Sequence, residues 1–523
     1  MTYEDLSSLD HLVDFSGEKA VRLKRLFDQR EEIFSLYQEH VINLICRWLG
    51  SEQIKERIQF EKSGRVVIDG NLVLKESIEY LPAVIRKLTG KLTLVSGSQI
   101  RSIDYLEEAR ALRIDRANNL KSLKSLKKVE YGILITNSGL EDLSSLERVG
   151  SSVIIVDCPI KGIPNLQYVG EKLIVRNNED FKDLSSLNYV SELDISGTAI
   201  EELPELENVV EKLDAEGLET LTSIPKLTTA GNIYLSGTSV TGLPSLVKVN
   251  GSLTAPELET LTDLSSLNEV EVDLDISRTN VASMRELQEV GRVFNAQATP
   301  LEHLPKLVKV GELKLENTRL KNLPALTRVI FGLSLKDSKS FEAADKLWWV
   351  GGDLDIRGTR IESLPELSTV QGEFNAEDLT TLTNLEKLAV VNGDCCIKGT
   401  SVQVLPNLVE VGGNLNILSL DNSKECWFPN LCTIKGRLQL TFIKEGQFPR
   451  LESIQNCLYI LLWQKQQVDI FEVFPKLTTI KKQGDRDIPH VLVTDYGLYE
   501  QFKNAKKNNR INIEGRITLV SDV

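Results

Sequence analysis

A pair of apolar residues flanking one variable residue returns in constant phase from Leu72/Leu74 to Leu458/Ile460. Leu112/Ile114, Val153/Ile155, Leu193/Ile195, Leu253/Ala255, Phe294/Ala296, Leu354/Ile356 and Cys395/Ile397 mark units between them. The step is about 20 residues, and about twenty units keep it. Chance does not hold phase that long. Such a period predicts stacked coils, each burying its apolar face only against its neighbours. It replaces the several ordinary domains that length alone would suggest.

Proline gives an independent reading of the same period. Pro164, Pro204, Pro244, Pro324, Pro365 and Pro406 share one phase, each after Leu or Ile. Proline lacks a backbone donor and pushes the residue before it toward extended geometry. It therefore belongs to the return segment of a coil. In residues 193–211, LDISGTAI supplies a strand and first turn, and ELPELENVVE the return. About 20 residues leave no room for a strand, a full helix and two connections. The reading predicts one strand per coil and 3₁₀ or polyproline-like returns.

The phrase L-x-I-x-x-T-x-I, as at Leu193, Ile195, Thr198 and Ile200, resembles the leucine-rich repeat pattern L-x-L-x-x-N-x-L. Thr198, Thr238, Thr279, Thr318, Thr359 and Thr400 stand at the family's Asn position, as does Cys158. A threonine hydroxyl can donate to a turn carbonyl, so a continuous asparagine ladder is not expected. The Leu-Pro-x-Leu return is similar to the short repeats of bacterial effector scaffolds. The V-G-G-x-L-x-I phrase at 350–356 and 411–417 is similar to the L domains of cell-surface receptors. The resemblance covers about residues 70–480. It implies an α/β-type, β-dominated repeat solenoid: a leucine-rich repeat horseshoe of about twenty parallel strands, with a helical N-terminal cap and a small mixed C-terminal cap. It implies little about function.

The ends read differently from the middle. Residues 1–60 are expected to form the N-terminal cap, with a helix ending at Gly50 and a short second helix at SEQIKERI. Residues 61–480 form the solenoid. Residues 481–523 form the C-terminal cap: a strand at HVLVTD, a helix at GLYEQFKNAKK leaving at Asn508-Asn509, and a strand at RINIEGRITLVS.

Charge and motif content narrow the function. Net charge is −14, which argues against nucleic acid and anionic membranes as main partners. No apolar run is long enough to span a bilayer, and acidic residues 1–17 lack a secretory signal pattern. Seven cysteines at irregular spacing predict reduced thiols in a cytoplasm. Four histidines and no C-x-x-C make zinc improbable, and no D-x-D-x-D-G loop suggests calcium. No P-loop, G-x-S-x-G or H-E-x-x-H is present, so neither a cofactor nor an enzyme is expected.

Strand alternation aims the middle residue of each L-x-I, with its outer neighbours, at one surface. From coil 193 onward Glu192, Asp194, Asp214, Glu216, Asp273, Asp275, Glu312, Glu316, Asp353, Asp355, Glu373, Glu377 and Asp394 stand there. They outnumber Lys212, Lys314, Lys336, Arg357 and Lys398. The bland reading is a solvated face; the functional one is a groove for a basic protein surface, with Asp194, Asp214, Asp275 and Asp355 as its centre. In earlier coils Leu134, Ile154, Val156 and Ile174 occupy these positions. They form an apolar patch, covered by an adjacent segment or offered to a partner. Trp348 and Trp349 replace the usual polar pair before Val350, either as a binding edge or as filling in a coil that lacks its proline.

The sequence thus predicts a non-enzymatic protein-binding scaffold with a protein partner, no nucleic acid and no membrane, and leaves oligomeric state open. Two alternatives stand beside it. One is an effector-like scaffold with residues 1–17 as a delivery segment; the other is an enzyme with its site in 419–523.

Overall fold

The computed structural model describes residues 18–61, 64–418, 426–462, 467–481 and 490–520, with side chains from Phe34 onward. The expected delivery segment, residues 1–17, lies outside the described residues. The chain is a β-solenoid of about 19 parallel-strand turns. It divides into two compact units, Met1–Val240 and Thr241–Val523.

The first unit opens with helix α1 (Glu18–Leu49). Val41, Ile45, Cys46 and Leu49 are buried, the spacing of one helical face. Gly50 ends the helix at φ +61°, a left-handed conformation that glycine adopts freely. The short second helix is a 3₁₀ stretch, Glu52–Arg57. Strand Ile58–Phe60 pairs antiparallel with Val66–Ile68. The L-x-I strands then stack in parallel, with Leu112 opposite Ile133, Ile133 opposite Val153, Val153 opposite Leu173 and Leu173 opposite Leu193.

Each coil carries a second parallel ladder that the single-strand reading misses. Val129, Val149, Val169, Val190 and Val209 stand in register on it. Its strands span as few as two residues, such as Lys128–Val129 and Arg148–Val149. Two residues show no alternation, so no period-2 signal marks them. A register shift joins the two ladders in longer strands, as between Val169 and Lys172. Single bridges such as Gly162 to Asp183 and Glu202 to Ser223 add a third line of contact.

The return is a β-turn. Leu206 N donates to Leu203 O across Pro204, and Leu166 N to Ile163 O (3.1 Å) across Pro164. Proline presets φ for the first central position of such a turn. Of the two expected forms, 3₁₀ or polyproline-like, the returns of the described coils form no 3₁₀ helix, because one turn suffices to bring the chain to the second ladder. Coil 193 buries Leu193, Ile195, Ile200, Leu203, Leu206 and Val209, each at 0 or 1% exposure. Each such side chain stabilises by roughly 1.5–3 kcal/mol before the entropy of ordering is set against it.

The strand-exit threonines close their own turns. Thr198, Thr238, Thr279, Thr359 and Thr400 donate to Ile195, Leu235, Ile276, Ile356 and Ile397 carbonyls at 2.7–2.8 Å. Thr318 instead shares a hydrogen bond with Ser338, whose hydroxyl reaches Leu315 O at 2.6 Å. Asn178 also reaches between coils: it accepts from Cys158 N (2.9 Å) and donates to Ile155 O (3.3 Å). The five threonines thus satisfy a carbonyl of their own coil, while Thr318, Ser338 and Asn178 bond between coils.

The second unit repeats the pattern. Leu253 faces Leu274, Leu274 faces Phe294, and Phe374 faces Cys395. Phe294 and Phe374 are each followed by Ala two residues on, both fully buried, so volume is shared within a coil. Toward the C-terminus the Phe-Pro returns stack ring on ring, Phe428 on Phe448 at 5.0 Å and Phe448 on Phe474 at 5.3 Å. The ladder continues past residue 480, where the sequence reading begins a cap. Val491 pairs with Leu458 and Ile517 with Val491. The longer coils hold helices α2 (Ile470–Val473) and α3 (Tyr496–Lys507), capped by Asp469 and Asp495. Asn508 ends α3, and Asn509 follows at φ 51°.

Candidate functional site

In the first unit the outward residues of the L-x-I ladder form one column. Register places Val73, Thr93, Arg113, Leu134, Ile154, Ile174, Asp194, Asp214 and Tyr234 side by side in that order. Leu134, Ile154 and Ile174 are thus neighbours on adjacent strands, each half-buried. Val156 lies one column over, between Thr136 and Arg176. The patch read from sequence is contiguous.

The acidic tract is a different object from the one expected. Asp194 Oδ1 accepts from Ser196 N (3.2 Å) and Ser196 Oγ (2.7 Å). Its Oδ2 accepts from Arg176 Nε (3.0 Å) and Nη2 (2.6 Å). Asp214 accepts from Glu216 N (3.3 Å) and pairs with Lys212 (2.8 Å). In the second unit Asp275 accepts from Ser277 N (3.0 Å), and Asp355 from Arg357 N (3.1 Å) and its guanidinium (2.6 Å). Asn295, Asn375 and Asn416 make the same bond to the amide two residues on, each at 3.2 Å. In these seven coils the position therefore holds an Asx side chain that turns the chain out of the strand, as Asp or as Asn.

Other acids clamp one coil to the next. Asp353 accepts from Glu373 N and Asp394 from Asn414 N, both at 2.7 Å. Asn414 does the same for Arg437 N (2.8 Å). Glu192 pairs with Lys172 (2.5 Å), Glu312 with Lys314 (3.2 Å) and Glu377 with Lys398 (2.7 Å); Asp273 pairs with Arg292. The sequence count missed Lys172, Arg176 and Arg292, because it left out the coil before Asp194 and the position before each flank. The four expected groove centres thus all cap turns, and Asp194, Asp214 and Asp355 are also in ion pairs.

The same omission hid cations beside the apolar patch. Arg113 adjoins Leu134 in register and is exposed, as is Lys75 beyond Leu74. Lys91 pairs in register with Ala111 in the next column.

The tryptophans divide in role. Their coil keeps the standard turn without proline, Leu347 N donating to Ala344 O at 3.1 Å. It is therefore not irregular. The Trp349 ring covers Gly351, where any side chain would collide with it. Trp348 stays 46% exposed, its ring centroid 6.4 Å from that of Trp349.

Among the described residues no three His, Cys, Asp or Glu side chains gather as a metal set. All seven cysteines are free thiols. Cys395 is fully buried, and burial, then Cys396, Cys426 and Asp394, push its thiol far up. Burial also raises half-buried Cys396. Iodoacetamide at mildly alkaline pH should leave Cys395 unmodified in the native chain and label it once the chain is unfolded. Peptide mass spectrometry reads this; fast native labelling of Cys395 would contradict the burial that protects it. Within 419–523, the described residues are ladder coils, connecting turns, α2 and α3.

No family model and no curated protein sequence matches the chain. Among solved structures, it is similar to one described as a TLR13–ssRNA13 complex, at 15% identity over 86% of this chain and 73% of that one, TM-score 0.23. It is also similar to the mouse RP105/MD-1 complex, at 13% identity over 85% and 94%, TM-score 0.27. Both are leucine-rich repeat proteins. At those scores the likeness carries no argument about partners, and the assignment of this chain as a parallel β-solenoid stands on its own ladders.

Proposed function

We propose that the chain is a non-enzymatic protein-binding scaffold, with the Leu134–Ile154–Ile174 stripe of the first unit and adjoining Val156 as its contact surface. The observation that carries this reading is large aliphatic side chains in register on three adjacent strands, partly exposed where most other coils place polar residues. The regular ladders hold the stripe rigid, so little ordering entropy opposes binding. The seven free cysteines support a reducing, cytoplasmic setting. Exposed Trp348 favours a second reading, an edge contact on the second unit.

Affinity capture from native lysate tests both. Wild type is compared with Ile154→Ser/Ile174→Ser and with Trp348→Ala. A partner lost only from the first variant supports the stripe; loss only from the second moves the contact to the tryptophan edge. Identical captures from all three would sink both readings.

A further inference from the structure

We propose that the first unit's ladder face from Val73 to Ile174 docks an acidic segment of a partner protein that carries apolar side chains among its carboxylates. This rests on the scaffold reading and gives that surface a partner of opposite sign to the one the acidic composition suggests. Three outward columns cover the face. The middle one runs Val73, Thr93, Arg113, Leu134, Ile154, Ile174, with Lys91 on one flank; exposed Lys75 follows Leu74 where its strand ends, its Nζ near Gly50. Asp115 is the one acid on these columns before Glu192 and Asp194, which follow Lys172 and Ile174 in register, and it accepts a hydrogen bond from Thr136 Oγ1 at 2.9 Å. Lys75, Lys91 and Arg113 make no ion pair with any described residue. By contrast Lys172 and Arg176, at the far end of the stripe, are already paired with Glu192 and Asp194.

A chain of net charge −14 thus sets three cations without an ion pair to a described residue on the N-terminal side of its aliphatic stripe, Arg113 directly against Leu134. Acids more than a Debye length away, about 8 Å at physiological salt, do little to neutralise them. The stripe supplies the desolvated centre of a contact and the cations its polar rim. A purely acidic ligand would leave the stripe wet. A cationic one would meet Arg113, Lys91 and Lys75 head-on. The stripe itself offers aliphatic carbons and no aromatic ring, so it gives bases nothing to stack on.

Fluorescence anisotropy with the full chain tests this. The probes are a short peptide repeating Glu-Leu-Asp-Gly, its Lys-Leu-Lys-Gly counterpart and a Glu-Ser-Asp-Gly control. The Glu-Leu peptide should bind, and weaken when salt rises from about 0.05 to about 0.5 M. Arg113→Glu/Lys91→Glu and, separately, Ile154→Ser should each weaken it by about tenfold, with the Glu-Ser control weak throughout. Lys75→Ala, at an exposed position, gives a variant that keeps the fold; it should weaken binding by less than the double reversal. Tighter binding of the Lys-Leu peptide, still lost in Ile154→Ser, would overturn the acidic partner while leaving the scaffold surface standing. Binding of any probe that ignores Ile154→Ser would overturn both. Probe binding seen only after deletion of residues 1–17 would assign the surface to the chain's own acidic N-terminal segment. A dimer that Ile154→Ser dissociates would assign it to a second copy, and binding to phosphatidylserine vesicles but not peptide would assign it to a membrane. Each of these overturns the proposal.

Discussion

Replacing Gly150 with alanine is expected to destabilise the first unit by about 3 kcal/mol. Gly150 sits where the second ladder hands the chain to the first. Its amide donates to Val129 O at 2.9 Å, holding the coil against the one before. A Cβ there would lie 1.9 Å from Glu130 O, a backbone atom that cannot swing aside. The coils would have to separate, breaking ladder bonds and opening the core between them. Gly217 is the control. It has φ +72° and open space around its missing Cβ, so Gly217→Ala strains only its own backbone, by about 1 kcal/mol. Amide exchange resolves the effect by coil, since a repeat array loses stability locally. Amides of residues 129–176 should lose protection in Gly150→Ala. Equal loss in both variants would show that backbone conformation, not coil approach, demands these glycines.

Asp194→Ala is expected to cost about 2 kcal/mol, and Asp194→Asn less than half of that. Asp194 is buried, 5% exposed, with every bond directed at Ser196 or Arg176. Alanine leaves the Ser196 amide and hydroxyl without their acceptor. Asparagine keeps that acceptor, as Asn295, Asn375 and Asn416 do in their own coils, and loses only the pair with Arg176. The pH dependence separates cap from charge. Burial raises the Asp194 carboxyl, but Ser196 and Arg176 outweigh it and hold it below the ordinary value of 3.8. Such a group stabilises the fold above its unfolded value and stops doing so as pH falls through its folded one. The gap between wild type and Asp194→Asn in urea midpoint should be full near neutrality. It should close as pH drops below 3.8. A gap unchanged by acid would mean that the carboxylate charge does not hold this turn.

These two residues also show what could be read in advance. Gly150 was not singled out in the sequence, because coil-to-coil approach leaves no local signal along the chain. Asp194 was legible as outward-facing from strand alternation. Its partner Arg176 belongs to the preceding coil, in the adjacent column, and a reading along one coil cannot see that pair. The same limit turned an acidic surface into a groove on paper, and concealed the cations beside Leu134. Trp348 and Trp349 looked alike in sequence, and packing over Gly351 distinguished them.

The sequence by itself determined the coil, its period, its apolar interior and the contiguity of Leu134, Ile154 and Ile174. Those follow from side-chain alternation and a fixed repeat, both local along the chain. The tertiary structure decided the second ladder, the fate of each carboxylate and the sign of the charge left free beside the stripe. Those depend on which residue of one coil lands against which residue of the next. That register is set by the stacking of whole coils, and insertions and bulges shift it without leaving a period to read.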